Sequence, residues 1–393
     1  MASLDLEKAF DKVLHSALYQ GLREAGVAEQ DLKAIESLYK DQSAHVQLDP
    51  TLRSIYFKIL RGVRQGDPMS PALFACTLRK TMIELKKKWE RQKYGTLIGV
   101  SDAGQGRLTF VMFADDTTLV AKSRTALKKM LKDLQVELIK LGLTLNEDKC
   151  KLQCSRPSRH RKDSLEVGSI AYPIVCRDVG FKVLGTTFTL NGSTHIELLE
   201  RVAAAWRKFG SLGRLLMKRD ASECQRLKLF DTTVSKTMLW CSESWKLSVA
   251  EKRALRAAQR AMLRKMIGPK RRPDEDYIDW IKRSTKDVEA KANRCGVRCW
   301  CESFLSAKWR WAGRVARTED ERWAKRCTTW RDSAWCAAKG PRPLRSRQGR
   351  HYKWEDDLRQ FSTAFGWDAW RSMALDEEKW LSHEDDFIAW AWR

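Results

Sequence analysis

The sequence predicts an α+β fold, in which an antiparallel sheet with helices occupies the first half of the chain and helices occupy the second. Up to about residue 190, short β-prone apolar runs alternate with turn residues, as in RLTFVMFADDTTLVAKS around Asp115 and Asp116. Beyond that point apolar residues recur at helical spacing, and 16 of the 17 tryptophans lie after residue 200. We therefore expect a domain boundary near residues 190–192.

The charge of the chain predicts a partner rich in phosphate. The 393 residues carry a formal net charge of +24, spread over the whole length rather than confined to a tail. No apolar run reaches the roughly 18 residues that a membrane span needs, and the first residues do not resemble a signal peptide. The 11 cysteines are scattered, which is typical of reduced thiols. We expect nucleic acid as the partner, no membrane, and a nuclear or cytoplasmic location.

Three acidic residues have the setting of a metal site. Asp115 and Asp116 are predicted to lie at the tip of a β-hairpin, and Asp5 ends a short apolar strand in LDLEKAFDKV. Like charges at one turn are costly unless positive charge lies between them, and a pair of divalent metal ions would supply it. An acidic doublet by itself is also common in solvated surface turns.

The stretch RGVRQGDPMSPALF, which starts at Arg61, predicts a glycine-rich loop followed by a helix. We expect Ser70 to cap this helix, Pro71 to occupy its first position and the helix to run to about Trp89. The positive N-terminal end of such a helix favours a nearby anion, such as a phosphate group.

The order of these motifs resembles the reverse transcriptases of non-long-terminal-repeat (non-LTR) retrotransposons. The resemblance rests on Asp-x-x-x-Ala-Phe-Asp, Gln-Gly-Asp-Pro-x-Ser-Pro and FADD, followed by LGLTLNEDKCKL and FKVLGTTF. It implies a right-hand polymerase palm and RNA-directed DNA polymerase activity. It also implies two Mg²⁺ ions, or Mn²⁺ in their place, with an RNA template, a DNA primer and deoxynucleoside triphosphates as partners.

The resemblance further implies a role for single residues. Asp5, Asp115 and Asp116 would hold the metals, and Lys149 would protonate the pyrophosphate leaving group. Phe10 would exclude the 2′-hydroxyl of a ribonucleotide, although an aromatic residue beside alanine is also typical of a plain core. The remaining assignments are Gln65 and Gly66 in the nucleotide pocket, and Arg61 and Arg64 on template or triphosphate, where an ordinary exposed loop is an equal alternative.

The second half of the chain is predicted to contain a thumb and a basic tail. The domains expected are a palm over 1–190, a helical thumb over 191–268 and a Trp-rich helical region over 269–393. Ser248 and Glu251 form a capping box, and Arg256, Arg260 and Arg264 form a stripe that would track phosphates or face solvent. Interleaved Arg and Trp in the tail are compatible with base stacking and with core packing.

Two alternative sites can be drawn from the residues of this half. One is a zinc site formed by cysteines 295, 299, 301 and 327, without the usual second pair. The other is a nuclease centre at Asp274, Asp287, Glu289 and Lys291, in a stretch so charged that such a match arises readily by chance.

One departure from the family concerns the start of the chain. Reverse transcriptases carry a fingers subdomain before the first acidic motif, whereas four residues precede Asp5. The resemblance therefore implies a truncated copy that binds nucleic acid but extends primers poorly. The alternative function is a catalytically inactive, nucleic-acid-binding remnant of such an element.

Overall fold

The computed structural model describes residues 1–47, 49–98, 106–154, 163–175, 179–190, 192–218, 220–320, 322–329, 353–367 and 369–392. The chain divides into two compact units. The first comprises Met1–Ile98 and Gly104–Gly185, and the second comprises the chain from Thr186 onward. The predicted boundary at 190–192 lies close to this division, and Asn191 is outside the described residues.

The first unit contains a six-stranded sheet. Its strands are β1 (Ala2–Leu4), β6 (Phe110–Phe113), β7 (Asp116–Leu119), β8 (Lys151–Gln153), β9 (Ser164–Val167) and β10 (Ile170–Val175), in the order β6-β7-β1-β8-β10-β9. Every neighbouring pair is antiparallel except β8 and β10, which are parallel. Strand β1 lies inside the sheet, so the segment that carries Asp5 has a hydrogen-bonded strand on each side.

Helices and shorter strands complete the first unit. The helices are α1 (Ala9–Lys12), α2 (His15–Glu24), α3 (Glu29–Tyr39), α4 (Ser70–Arg91) and α5 (Arg124–Lys140). The shorter strands are β2 (Ser43–Ala44), β3 (Phe57–Lys58), β4 (Thr96–Ile98), β5 (Gly106–Leu108) and β11 (Phe181–Val183). One apolar core joins the sheet to α2, α4 and α5, and Phe74 and Trp89 are among its fully buried side chains. The predicted α+β class is confirmed.

The starts of helices α4 and α5 show when a local sequence pattern is enough to identify the N-cap residue and when it is not. Helix α5 begins at a serine cap, because the Ser123 hydroxyl accepts a hydrogen bond from Ala126 N at 3.1 Å. The prediction that Ser70 caps α4 is wrong, since Ser70 is itself helical and buried, and its hydroxyl has no partner among the described residues. Met69 is the N-cap residue, and Asp67 closes the turn before it, because its side chain accepts from Met69 N and its carbonyl accepts from Ser70 N.

The second unit is mainly helical. After β12 (Thr186–Phe188) come α6 (His195–Ser211), α7 (Gly213–Leu216), α8 (Glu223–Phe230), a π-turn (Asp231–Ser235), α9 (Lys236–Met238) and a 3₁₀ turn (Ser242–Ser244). The chain continues through α10 (Val249–Ile267), α11 (Tyr277–Arg294), α12 (Trp300–Arg317) and α13 (Trp323–Thr329). The final helices are α14 (Asp356–Ala364), α15 (Trp370–Leu375), α16 (Glu377–Ser382) and α17 (Glu384–Ala391). The capping box at Ser248 and Glu251 is confirmed.

One hydrophobic core runs from α6 to α17 and includes residues on both sides of residue 268. At its centre the rings of Trp309 and Trp380 stack with centroids 3.6 Å apart. Each of these indole N–H groups donates to the backbone carbonyl of the other residue, at 2.9 and 3.0 Å. For these tryptophans the core-packing alternative is confirmed, while the division into thumb and tail at 268 stays a prediction.

No helix in the described part of the chain is long and apolar enough to cross a membrane.

Candidate active site

The acidic doublet lies at the predicted hairpin. Strands β6 and β7 pair antiparallel up to Phe113 and Asp116, which leaves Ala114 and Asp115 as a two-residue turn. Ala114 has a φ of 51°, a left-handed conformation that costs a residue with a side chain about 1–3 kcal/mol. Strain of this kind persists where the surrounding structure imposes it. Here the strained turn holds the Asp115 carboxyl group at the end of the hairpin.

The register of the sheet brings Asp5 to the same end of the hairpin. We call this end of the sheet, which carries Asp5, Asp115 and Asp116, the acidic edge. Leu4 of β1 pairs with Thr117 of β7, so the next residue of β1, Asp5, comes level with Asp116. The electrostatics agree with this proximity, because partial burial and the nearby charges of Asp115 and Asp5 raise the pKa of Asp116. The three carboxyl groups therefore lie at the same end of the adjacent strand pairs β6–β7 and β7–β1.

Lys149 lies at this edge as well. Its Nζ atom is 3.3 Å from Oδ2 of Asp5. The turn that positions it depends on Asn146, whose backbone N–H donates to the Asp5 carbonyl at 2.8 Å and whose side-chain oxygen accepts from Lys149 N at 3.3 Å. Asn146 was not among the residues predicted from the sequence, although asparagine in a polar turn between an apolar run and a strand is a recognisable signal.

The glycine-rich loop is fastened to the segment that follows Asp5. Gly62 N donates to the Val13 carbonyl at 2.7 Å, and Val63 N donates to the Phe10 carbonyl at 2.6 Å. The Gly62 carbonyl lies 2.9 Å from Nε2 of His15, a contact that was not predicted from the sequence. Two motifs that are about 50 residues apart in sequence therefore form one local structure.

The aromatic ring of Phe10 is half-buried and stacks on Phe74 of α4, with centroids 5.0 Å apart. It therefore has both a packing partner and an accessible part. Gln65 and Gly66 are exposed in the loop before α4, and Gly66 has a φ of 87°. Arg61 and Arg64 are exposed in the same loop. Their roles toward nucleotide and template stay predictions.

The donor chemistry of the acidic edge fits a hard divalent cation, since such ions prefer carboxylate oxygens. Within the described residues, no three His, Cys, Asp or Glu side chains are arranged so that they would hold a metal ion as they stand. At the acidic edge, the Lys149 ammonium group contacts Asp5. The cysteines of the zinc alternative, as far as they are described, do not form such a metal-binding group either.

In the second unit the arginine stripe has protein partners. Arg256 and Arg260 both donate to Oε1 of Glu289 on α11, at 3.0 and 2.8 Å, and Arg264 donates to the hydroxyl of Thr285 at 2.9 Å. These guanidinium groups are also partly exposed, and their contact with phosphates stays a prediction. Glu289, one of the acids of the nuclease alternative, is therefore an ion-pair partner of the stripe.

Comparison with known proteins indicates the family of the first half of the chain. Residues 1–188 match the family described as reverse transcriptase (RNA-dependent DNA polymerase). An uncharacterised transposon-derived protein of Caenorhabditis elegans is 27% identical over 283 residues, which are 70% of this chain and 94% of that protein. Retrovirus-related Pol polyproteins of R2 retrotransposable elements from Nasonia vitripennis and Drosophila melanogaster are 28% and 31% identical, over 56% and 49% of this chain.

The R2 matches cover 22% and 18% of those two polyproteins, so the matched part of the chain corresponds to about a fifth of their length. A solved structure of telomerase from Candida albicans with a fragment of telomeric RNA covers 74% of this chain and 48% of its own, at 13% identity and a TM-score of 0.34. That score is below the level that indicates a shared fold.

The family match and the acidic motifs define residues 1–188 as a reverse transcriptase domain. The relatives, which are products of R2 retrotransposable elements and a transposon-derived protein, support a reverse transcriptase of the non-LTR retrotransposon type. The resemblance predicted from the motifs is thereby confirmed, and the family is one of RNA-directed DNA polymerases.

Proposed function

We propose that this chain carries out two-metal, RNA-templated transfer of deoxynucleotides to a primer 3′-hydroxyl, at Asp5, Asp115 and Asp116. The observation that carries the proposal is the register of β1 and β7, which brings Asp5 level with Asp116. The raised pKa of Asp116 supports it, because partly desolvated carboxylates that repel one another form a binding site for positive charge. Bound Mg²⁺ or Mn²⁺ would neutralise that charge and polarise the reacting phosphate.

Lys149 is proposed as the residue that gives a proton to the pyrophosphate leaving group. Its ammonium group already lies at the acidic edge, 3.3 Å from Asp5. The Asn146 turn holds the backbone of Lys149 against the Asp5 segment, while the exposed side chain is long enough to change its partner. A positioned general acid of this kind typically contributes about a hundredfold or more to the rate.

The nucleotide is proposed to lie against Phe10, Gln65 and Gly66. The Phe10 ring stacks on Phe74, which fixes its position. A ring held in this way would exclude a 2′-hydroxyl. Gly66 has no atom within 4 Å of the place where a Cβ would lie, so the loop offers open space there for a ligand. The exposed Arg61 and Arg64 would supply positive charge to template or triphosphate.

The partners proposed are an RNA template, a DNA primer and deoxynucleoside triphosphates. Support comes from the family match and from relatives that are named as products of R2 retrotransposable elements. The formal charge of +24 is compatible with a polyphosphate partner.

The test compares Asp115→Asn with Asp31→Asn as the matched control. Asp31 is an exposed carboxylate at the start of α3. Purified proteins are assayed for Mn²⁺ binding by electron paramagnetic resonance, for RNA binding and for primer extension. Asp115→Asn is expected to lose Mn²⁺ binding and extension and to keep RNA binding, whereas Asp31→Asn keeps all three.

Two results would count against the proposal. Normal extension by the Asp115→Asn protein would remove this carboxylate from the chemistry. A wild-type chain that binds RNA but neither binds Mn²⁺ nor extends a primer would favour the inactive, nucleic-acid-binding remnant instead.

A further inference from the structure

An antiparallel arm projects between α3 and the glycine-rich loop of the first unit. We define it as residues 42–60, of which residue 48 is not described, and call it the 42–60 arm. Ser43 pairs with Lys58 and Ala44 with Phe57, and Ser54 N donates to the Val46 carbonyl at 2.9 Å. Near its tip the Asp49 carboxylate accepts three hydrogen bonds from Thr51 and Leu52, which closes the turn.

The side chains of this arm are unusually apolar for an exposed hairpin. Ile55, Tyr56 and Leu60 are 87%, 68% and 77% exposed, and further exposed apolar residues of the arm are Val46, Leu52 and Phe57. The ring of Tyr56 makes an edge contact with His45, with centroids 4.9 Å apart. A two-stranded hairpin is at best marginally stable alone, and contiguous exposed apolar surface marks a binding site.

The charge of the arm indicates what it binds. Residues 40–64 contain five Lys and Arg but two Asp and Glu. The carboxylate of Asp49 is already occupied at the tip, and the pKa of this group is lowered by its hydrogen bonds to Thr51 and Leu52. Arg53 and Lys58 are exposed and have no side-chain hydrogen bond or ion pair within the described part of the chain. Exposed rings between unpaired cations form a surface complementary to bases and phosphates.

A cavity of about 600 Å³ adjoins the arm. Its lining includes Lys58 and Leu60 from the arm and the aromatic side chains of His15, Tyr19 and Tyr39. Charged residues of both signs line it as well, namely Lys33, Glu36, Lys40 and Asp41. Pockets of this size hold small organic ligands, and walls of this composition suit a planar base. The cavity is continuous with the arm through Lys58 and Leu60, so one strand could contact both.

We propose that the 42–60 arm and this cavity bind single-stranded nucleic acid. Bases stack on Tyr56 and Phe57, phosphates contact Arg53 and Lys58, and one base enters the cavity beside Tyr39. A single strand is specified because stacking on side chains requires unpaired base faces, which a duplex buries. The inference rests on the proposed function in taking RNA as the strand, and it requires no catalytic step.

The experiment measures the affinity of the full chain for a fluorescent, unstructured single-stranded RNA, in EDTA and without nucleotides. The Tyr56→Ala/Phe57→Ala protein is compared with Tyr277→Ala, in which an exposed ring of the second unit is removed. Each stacking ring is worth about fivefold to a hundredfold in affinity, so the double variant should bind at least about tenfold more weakly than the control.

Charge is tested separately in Arg53→Gln/Lys58→Gln, against Lys140→Gln on α5 as the control. Removing two phosphate contacts should flatten the slope of log affinity against log salt by about 1.4 units for a single strand. Binding to a duplex of the same length should respond much less to the loss of Tyr56 and Phe57. All four residues are exposed, so the thermal midpoint of the variants should match that of the wild type.

Three outcomes would overturn the inference. One is unchanged single-strand affinity in the double ring variant, and another is an equal loss on single strand and duplex. The third is self-association of the wild type, seen as concentration-dependent sedimentation, that disappears in the double ring variant while its RNA affinity stays unchanged. That result would mean that the arm binds another copy of the protein rather than RNA. Because EDTA removes catalysis, a failure of this test and a failure of the Asp115→Asn test are distinguishable.

Discussion

At Gly62 the backbone of the glycine-rich loop packs directly against the segment that carries Phe10, and replacing this glycine with alanine tests that packing. Its φ is 92°, and a Cβ at this position would lie 2.7 Å from the carbonyl oxygen and 2.9 Å from the Cα of Asp11. These are backbone atoms of the segment that carries Phe10, so no side chain can rotate away. The substitution therefore forces the two segments apart.

The size of the effect follows from two contributions. The left-handed conformation costs alanine about 1–2 kcal/mol, and overpacking against fixed atoms costs about 1–3 kcal/mol more. Gly26 provides the matched control, because its φ is 85° but nothing lies within 4 Å of its Cβ position. We expect Gly62→Ala to destabilise its surroundings by about 2–5 kcal/mol, and Gly26→Ala by the conformational contribution alone.

Hydrogen exchange measured by mass spectrometry suits this test. Trp89 is the only tryptophan of the first unit, so fluorescence would report mainly on the second. The amides of residues 62 and 63 are protected by their bonds to Val13 and Phe10. In Gly62→Ala, peptides that cover these amides should exchange at least about thirtyfold faster, whereas in Gly26→Ala their rates should stay as in the wild type. Equal rates in the two variants would refute the packing argument.

Three further predictions concern single side chains. In an active protein, Phe10→Ala should admit ribonucleotides before it slows deoxynucleotide incorporation, and unchanged discrimination would return this ring to a packing role. Replacing Arg256, Arg260 and Arg264 with glutamine should flatten the salt dependence of duplex binding by up to about three units, unless their pairing with α11 keeps them from phosphates. Lys308→Met should cost about 1–3 kcal/mol in denaturation experiments, because it removes the hydrogen-bonded cation from the partly exposed Asp357. Lys282→Met, at an exposed ion pair, is the control and should cost less than about 1 kcal/mol.

The hairpin that carries Asp115 and Asp116 could be predicted from the sequence because its determinants are local. The doublet is flanked by β-prone residues, and a hairpin is the only short-range structure that such a pattern favours. The contacts that complete the site are not local. His15 meets the Gly62 carbonyl across 47 positions, and Asn146 meets Asp5 across 141, so neither contact leaves a periodic signal in the sequence.

For the arginine stripe, too, the sequence predicts the local structure but not the contacts with distant residues. Spacing of four residues shows that Arg256, Arg260 and Arg264 share one face of α10, and the helix is observed. Spacing does not show what covers that face. The answer depends on how α11 packs, and Glu289 reaches two of the three arginines only because that helix follows the charged linker and returns along α10.

The tryptophans of the second unit are explained by the charge that this unit carries. Residues 186–393 contain 43 Lys and Arg against 28 Asp and Glu, so +15 of the total charge of +24 lies here. Self-repulsion of that size opposes a compact state, and large aromatic side chains counter it by burying the most apolar area per residue. Trp309 and Trp380 do so without leaving their N–H groups unpaired, because each bonds to the other's carbonyl. A ring committed in this way cannot stack on a base. Nucleic acid that meets this unit should therefore contact its basic side chains more than these rings, which favours binding that depends on salt and is nearly indifferent to sequence.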